Sequence, residues 1–460
     1  MKRIIFLIFS LPILIHAQYT DYWTGKLSFG TSVTIELNVT YDRLNPSMIT
    51  LDCPEQYSWE TKCELMKWTL DSFNVGIAAA DVRIIGKKTN HDSILEAKWI
   101  QGKMELSITF NRSLTGIDPV RPQNPSLFVD YLIEDVRIHN SKDNIDLFGT
   151  LTIPKGFQMK GCVVLVSGSG PQDKEESMMG HKPFWVIADY LTKNGYAVMR
   201  FDDRGSYRST GNFSQSTIYD FANDVNAAID MVKERTGLDD SKIGLMGHSE
   251  GGMVSQIVLK DRPLAFFISL AGPAAPGVDL MYTQNRDLGD MFNISNDEFD
   301  KAVGPFLKKI LTIVADPKID STTAIKKMMT LYKKDSKKFT DAARKRFQMD
   351  DPLGAAFWLT KPIRAFVGFN STSILSQLKL PILALNGSKD KQVNSKMNLD
   401  VFRTYTSNNT LSQQIELPGK NHLFQTCEKG DVAEYGKLEE TFSPDTLTII
   451  LEWLNKVFAK

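Results

Sequence analysis

The chain is poor in the residues that build metal centres and disulfide scaffolds. Its 460 residues hold four cysteines and six histidines, and Cys53, Cys63, Cys162 and Cys427 have no spacing that resembles a zinc site. There is no H-E-x-x-H segment and no paired-carboxylate arrangement, so neither a metalloprotease nor a glycosidase is indicated. Net charge is also absent. The 54 basic residues balance 54 acidic ones, which argues against nucleic acid or an anionic membrane surface as a partner. The apolar run Ile4 to Ile15, broken only by Ser10 and Pro12, falls short of the ~20 residues that span a bilayer.

That run follows Lys2-Arg3 and ends at His16-Ala17 before Gln18. The pattern predicts a secretory signal over 1–17, cleaved to leave an exported protein with no stable membrane association, an uncleaved anchor being the alternative. Export would permit a Cys53–Cys63 disulfide, whereas Cys162 opens an apolar strand and reads as a buried thiol. Apolar residues make up 42% of the chain and charged residues 23%, enough for a large core divided over two or three domains.

From Tyr19 to about Leu127 the side chains alternate with period two, as in Thr31 to Val39 and Glu105 to Phe110. The region 18–127 is therefore expected to be a mainly antiparallel β domain, with a short helix over Trp68 to Ala80. Three prolines between Asp118 and Pro125 mark the linker out of it. Over 128–460 the rhythm changes. Val129–His139 and Ile145–Ile153 read as a strand pair. Cys162–Val166, Tyr196–Phe201, Lys242–Met246, Ala265–Leu270, Pro381–Asn386 and Leu411–Leu417 then read as strands separated by helical segments. That alternation predicts an α/β fold with a mostly parallel, doubly wound sheet. Lysine-rich helical sequence interrupts it over about 277–368, an insertion of the length expected for a cap.

Gly247-His248-Ser249-Glu250-Gly251 fits the G-x-S-x-G nucleophile elbow and lies between a strand and a helix, where the turn presents a serine hydroxyl. A serine needs a base, and in such sheets the order is Ser, then Asp or Glu, then His. Only His422 follows Ser249 among the histidines, and it lies in a loop at the carboxyl end of the last strand. Asp390 occupies the equivalent place after the preceding strand and is the expected acid. The oxyanion donors are expected to be the backbone N–H groups of Glu250 and Ser169, with Gly170 as the neighbouring alternative. The glycine loop Ser167 to Pro171 lacks the ending of a phosphate-binding loop. Asp202-Asp203-Arg204 reads as an Asp–Arg pair fixing its own loop, and His181 as a residue capping or packing at a helix start. His248 comes too early to be the base, and the Glu250 carboxylate reads as an elbow-helix or rim group.

Ser167-Gly168-Ser169-Gly170-Pro171-Gln172-Asp173, Phe201-Asp202-Asp203-Arg204-Gly205, the elbow, Leu385 to Asp390 and Asn421-His422 together resemble the α/β-hydrolase superfamily. More narrowly they resemble bacterial secreted serine carboxylesterases with an N-terminal β domain and a helical cap. Tyr207 departs from that pattern, which has a small residue there. The resemblance implies hydrolysis of small-molecule carboxylic esters through an acyl-enzyme, with no cofactor or metal. A peptidase, aminopeptidase or thioesterase on the same triad is the enzymatic alternative, and a binding protein on an inactive scaffold the other.

Overall fold

The computed structural model describes residues 18–42, 45–77, 80–89, 93–117, 119, 121–126, 128–156 and 158–459. The expected signal segment 1–17 lies outside these, as does part of the expected linker. Two compact units result. One holds the described residues up to Pro119 together with Met178–Gly180, and the other Arg121–Ser177 and His181 onward.

The first unit is built entirely on period-two sequence. Strands β1 (Gln18–Phe29), β2 (Thr31–Asp42), β3 (Asn45–Cys53), β4 (Ser58–Lys62), β5 (Glu64–Trp68), β6 (Ser72–Ile77), β7 (Val82–Thr89), β8 (Ile94–Gln101) and β9 (Met104–Ser113) form one sheet. Every pairing is antiparallel, in the order β4-β3-β2-β1-β9-β8-β7-β6-β5. The alternate residues Leu37, Val39, Phe73, Val75, Ile84, Leu95 and Phe110 form its core. Over Trp68–Ile77 the structure has strands and a turn in place of the helix expected over Trp68–Ala80. Trp68 instead pairs with Phe73 across a turn closed by Thr69 N–H to Ser72 O at 2.8 Å. Phe73, Val75 and Ile77 are two apart and all buried, so the sheet period decides this segment. Cys53 and Cys63 are free thiols, as are Cys162 and Cys427. Burial pushes the Cys63 thiol up to about 12.

The second unit carries an eight-stranded sheet. Its strands are β10 (Tyr131–Asn140), β11 (Ile145–Pro154), β12 (Gly161–Val166), β13 (Tyr196–Phe201), β14 (Ile243–His248), β15 (Phe267–Leu270), β16 (Ile382–Gly387) and β17 (Gln413–Leu417). The order is β10-β11-β13-β12-β14-β15-β16-β17, with β10 and β11 antiparallel at one edge and all pairings from β13 onward parallel. Strands β12 to β16 are buried at every position, as continuous apolar runs between two helical layers must be. Helices α1 (Pro183–Lys193), α2 (Ile218–Thr236) and α3 (Glu250–Asp261) and the Pro444–Phe458 helix supply those layers. This is the expected α/β architecture. Between β15 and β16 the chain leaves the sheet for a helical insertion, including Gly277–Asp287, Gly304–Ala315 and Ser321–Asp335. Phe299, Phe306, Leu307, Ile310, Met328 and Phe347 give the insertion a core of its own. Among the described residues no helix is long and apolar enough to cross a membrane.

Candidate active site

Strand β14 passes into α3 through a single residue, Ser249, which adopts φ 50° and ψ −123°. A side chain is strained there, and the conformation is held because the neighbouring backbone fixes it. Ser249 N–H donates to Leu270 O at 2.9 Å, tying the turn to β15. Glycine is required on both sides by close approach. A Cβ on Gly247 would lie 2.3 Å from Gly251 O, and one on Gly251 would lie 2.2 Å from Val166 O. Ser249 thus stands at the N-terminus of α3, where the helix dipole favours developing negative charge.

The loops after β16 and β17 meet. His422 Nδ1 lies 2.7 Å from Asp390 Oδ2, and both side chains are buried. The carboxylate is fixed by other donors: Gln392 N–H at 2.8 Å and Val393 N–H at 2.9 Å on Oδ1, and Asn386 Nδ2 at 3.0 Å on Oδ2. Asn421 fixes the histidine loop by accepting from the N–H groups of Leu423 and Gln425, each at 3.0 Å. Among the described residues Ser249 Oγ makes no hydrogen bond, so the Asp–His contact is formed while the hydroxyl is uncommitted.

The loop after β12 borders the elbow, Gly168 lying within 3.1 Å of Ser249 Cβ by its own ideal Cβ position. Its Gly168 N–H is occupied, donating to Glu176 Oε1 at 2.6 Å. Among the described residues the N–H groups of Ser169, Gly170 and Glu250 make no hydrogen bond. The Ser169 side chain hydrogen-bonds the Glu250 carboxylate, which brings the two expected oxyanion residues together. Burial raises the Glu250 pKa, and that hydrogen bond opposes the rise. Gly170 sits at φ 95°, open to glycine alone.

Glu176 is the residue sequence reasoning missed. Its Oε1 also lies 2.8 Å from His248 Nδ1, while His248 Nε2 lies 3.0 Å from His422 O. A carbonyl only accepts, so Nε2 carries a proton, and Nδ1 faces a carboxylate. His248 and Glu176 therefore link the loop after β12 to the loop that carries His422. Burial works to lower its pKa, but the charge and hydrogen bond of Glu176 prevail and raise it.

Neighbouring residues serve the same loops. Asp203 accepts from Ser167 Oγ at 2.6 Å and Gln172 N–H at 2.9 Å. Burial raises its pKa well above the carboxylate range. Asp202 accepts from Lys174 N–H at 2.8 Å, and burial lifts it to about 6. The expected Asp–Arg pair within this loop is not formed. Arg204 turns instead to Asp224 at 2.6 Å and Asp143 at 2.7 Å, carboxylates from α2 and the β10–β11 turn. Tyr207 takes φ 49° with its ring exposed. His181 packs rather than caps: fully buried, it contacts Thr441 Oγ1 and Tyr435 O at 2.9 Å each. From the insertion, Asp287 approaches Asn394 Nδ2 at 3.4 Å, and burial raises its pKa.

Residues 160–424 match the family model described as serine aminopeptidase, S33. The chain is 31% identical over 150 residues to esterase EstD of Thermotoga maritima, covering 33% of this chain and 36% of that protein. It is 25% identical over 146 residues to the uncharacterised protein YfhR of Escherichia coli O157:H7, covering 27% of this chain and 50% of that one. The chain thus spans a third to a half of the length of the curated relatives it matches. Among solved structures, an esterase of Pyrococcus furiosus superposes with a TM-score of 0.43 at 16% identity, over 75% of this chain and 99% of that one. Est1E of Butyrivibrio proteoclasticus with ferulic acid bound gives 0.42 at 16% identity, over 71% and 100%.

Proposed function

The chain belongs to the serine aminopeptidase S33 family of α/β hydrolases, and on that premise we propose that it cleaves carboxylic esters through an acyl-enzyme on Ser249. The observation that carries the reading is the 2.7 Å contact of His422 Nδ1 with Asp390 behind a strained serine elbow. Asp390 holds the imidazole with its proton on Nδ1 and leaves Nε2 to accept the proton of Ser249 Oγ. The oxygen then attacks the ester carbonyl, and the oxyanion is taken by the N–H groups of Glu250 and Ser169, or Gly170. As the C–O bond to the leaving group breaks, His422 Nε2 returns its proton to the departing alkoxide. A water molecule, deprotonated by the same nitrogen, attacks the acyl-serine and releases the acid, restoring the serine hydroxyl.

Ester rather than amide as substrate is supported by the match to the Thermotoga esterase. The family description favours a second reading, hydrolysis of aminoacyl amides. Initial rates on short acyl esters, acyl thioesters and aminoacyl amides separate the two. The ester reading expects kcat/KM highest on esters and abolished by Ser249→Ala, and it is overturned if amides lead. Export is proposed from Lys2-Arg3 and the following apolar run, and a mature protein beginning near Gln18 in the cell envelope or medium tests it.

A further inference from the structure

The nine strands of the N-terminal unit close on themselves. Strands β4 and β5 are the two edges of the sheet, yet they follow one another with only Cys63 between them. The first pairs with β3 and the second with β6, and Cys63 N–H donates to Ile49 O at 2.9 Å across the join. Taken as one interrupted strand, they make an up-and-down barrel of eight staves. A barrel of that size is either filled by its side chains or left with room for one small ligand.

Both conditions occur along this lumen. Trp23, Leu37, Val39, Phe73 and Phe110 are buried to 2% exposure or less and fill part of it. Near the β1–β2, β3–β4, β6–β7 and β8–β9 turns a cavity of about 320 Å³ remains. Its walls are Leu27, Val33, Ile35, Leu51, Val82 and Trp99, and its polar lining comes from Gln56, Ser58, Thr61 and Gln101. No charged side chain is among the described residues that line it. The volume is roughly twice that of an apolar cavity known to hold benzene, and within the range of small-molecule sites.

We propose that this barrel is a binding site for one uncharged, mainly apolar molecule of medium chain length, its neutral hydroxyl or carbonyl end at the Gln56–Gln101 side. A carboxylate drawn into the apolar lumen is disfavoured, because none of the described lining residues offers it a cation and an unpaired charge out of water is costly. The site therefore distinguishes an alcohol or intact ester from the free acid. Such a ligand has two possible sources, an ester or alcohol handled by the Ser249 site or an unrelated neutral lipid.

The test is fluorescence titration of the full chain with N-phenyl-1-naphthylamine, followed by competition. One saturable site is expected, displaced by decan-1-ol at least tenfold more readily than by decanoate. Ile35→Phe, which fills the lumen, should weaken the probe at least tenfold with ester turnover unchanged. Gln101→Arg, at an exposed position, should bring decanoate level with the alcohol and serves where Ile35→Phe does not fold. Ser249→Ala should leave binding unaltered, which separates failure here from failure of the hydrolase reading. Comparing alcohols drawn from turned-over esters with a monoacylglycerol distinguishes the two sources. Equal displacement by acid and alcohol, no saturable binding, or binding indifferent to both barrel variants overturns the proposal.

Discussion

Replacing Asp390 by asparagine changes one atom and should remove most of the activity. Oδ1 accepts two backbone N–H groups, from Gln392 and Val393, while Oδ2 accepts from His422 Nδ1 and Asn386 Nδ2. The asparagine oxygen must stay with the two backbone donors, since an amide NH2 there would oppose both. Its NH2 then faces His422, which must accept at Nδ1 and carry its proton on Nε2. In that tautomer the imidazole cannot take the serine proton. A serine enzyme altered in this way loses about 10⁴ in kcat, equivalent to ~5.5 kcal/mol of transition-state stabilisation. The fold should lose less, about 1–3 kcal/mol, because one Asn386 proton loses its acceptor while its bond to Val393 O at 3.0 Å remains. Stopped or continuous p-nitrophenyl ester assays measure kcat, and urea unfolding measures the stability. A variant that keeps kcat within tenfold of the parent with its fold intact would refute the assignment of His422 as an Asp390-held base.

Glu176→Gln should lower kcat by about 10- to 100-fold with little change in KM, since it disturbs loops that hold the oxyanion donors and His422 rather than substrate contacts. Steady-state kinetics check this, and an unchanged kcat contradicts the bridging role of His248. His181 gives a pH-dependent prediction. Burial lowers its pKa from 6.5 in the open chain to about 4 in the fold, so the unfolded chain binds the extra proton. Its contribution is therefore fully present above pH 6.5 and is lost as pH falls towards 4, on the order of 2 kcal/mol. Buried carboxyls such as Asp202, raised to about 6, act in the opposite sense. The measurement is accordingly the difference in urea stability between the protein and His181→Gln at pH 7 and pH 4.5. That difference should shrink at the lower pH, and a constant gap contradicts it.

The elbow turn and the meeting of His422 with Asp390 were legible because order along the chain constrains them: one histidine follows Ser249, and strand ends place it and Asp390 in neighbouring loops. The parallel core was legible from continuous apolar runs such as Cys162–Val166. Glu176 was not, because it lies in a loop without periodicity and acts through a contact with His248, 72 residues away. Arg204 misled for a related reason. Adjacent aspartates are its neighbours in sequence, but its partners Asp224 and Asp143 lie 20 and 61 residues away. The Trp68–Ala80 segment was not legible locally, because it is pairing with β7 that makes Phe73, Val75 and Ile77 a strand. Barrel closure is equally hidden, since it depends on which strands β4 and β5 choose.

The central claim is that Ser249 is a nucleophile activated by its surroundings. Treating the protein with a fluorophosphonate and locating the adduct by peptide mass spectrometry tests it most directly. One adduct per chain, on Ser249 and abolished by His422→Ala, is the predicted result. No adduct, or one on another serine with Ser249 unmodified, would contradict it.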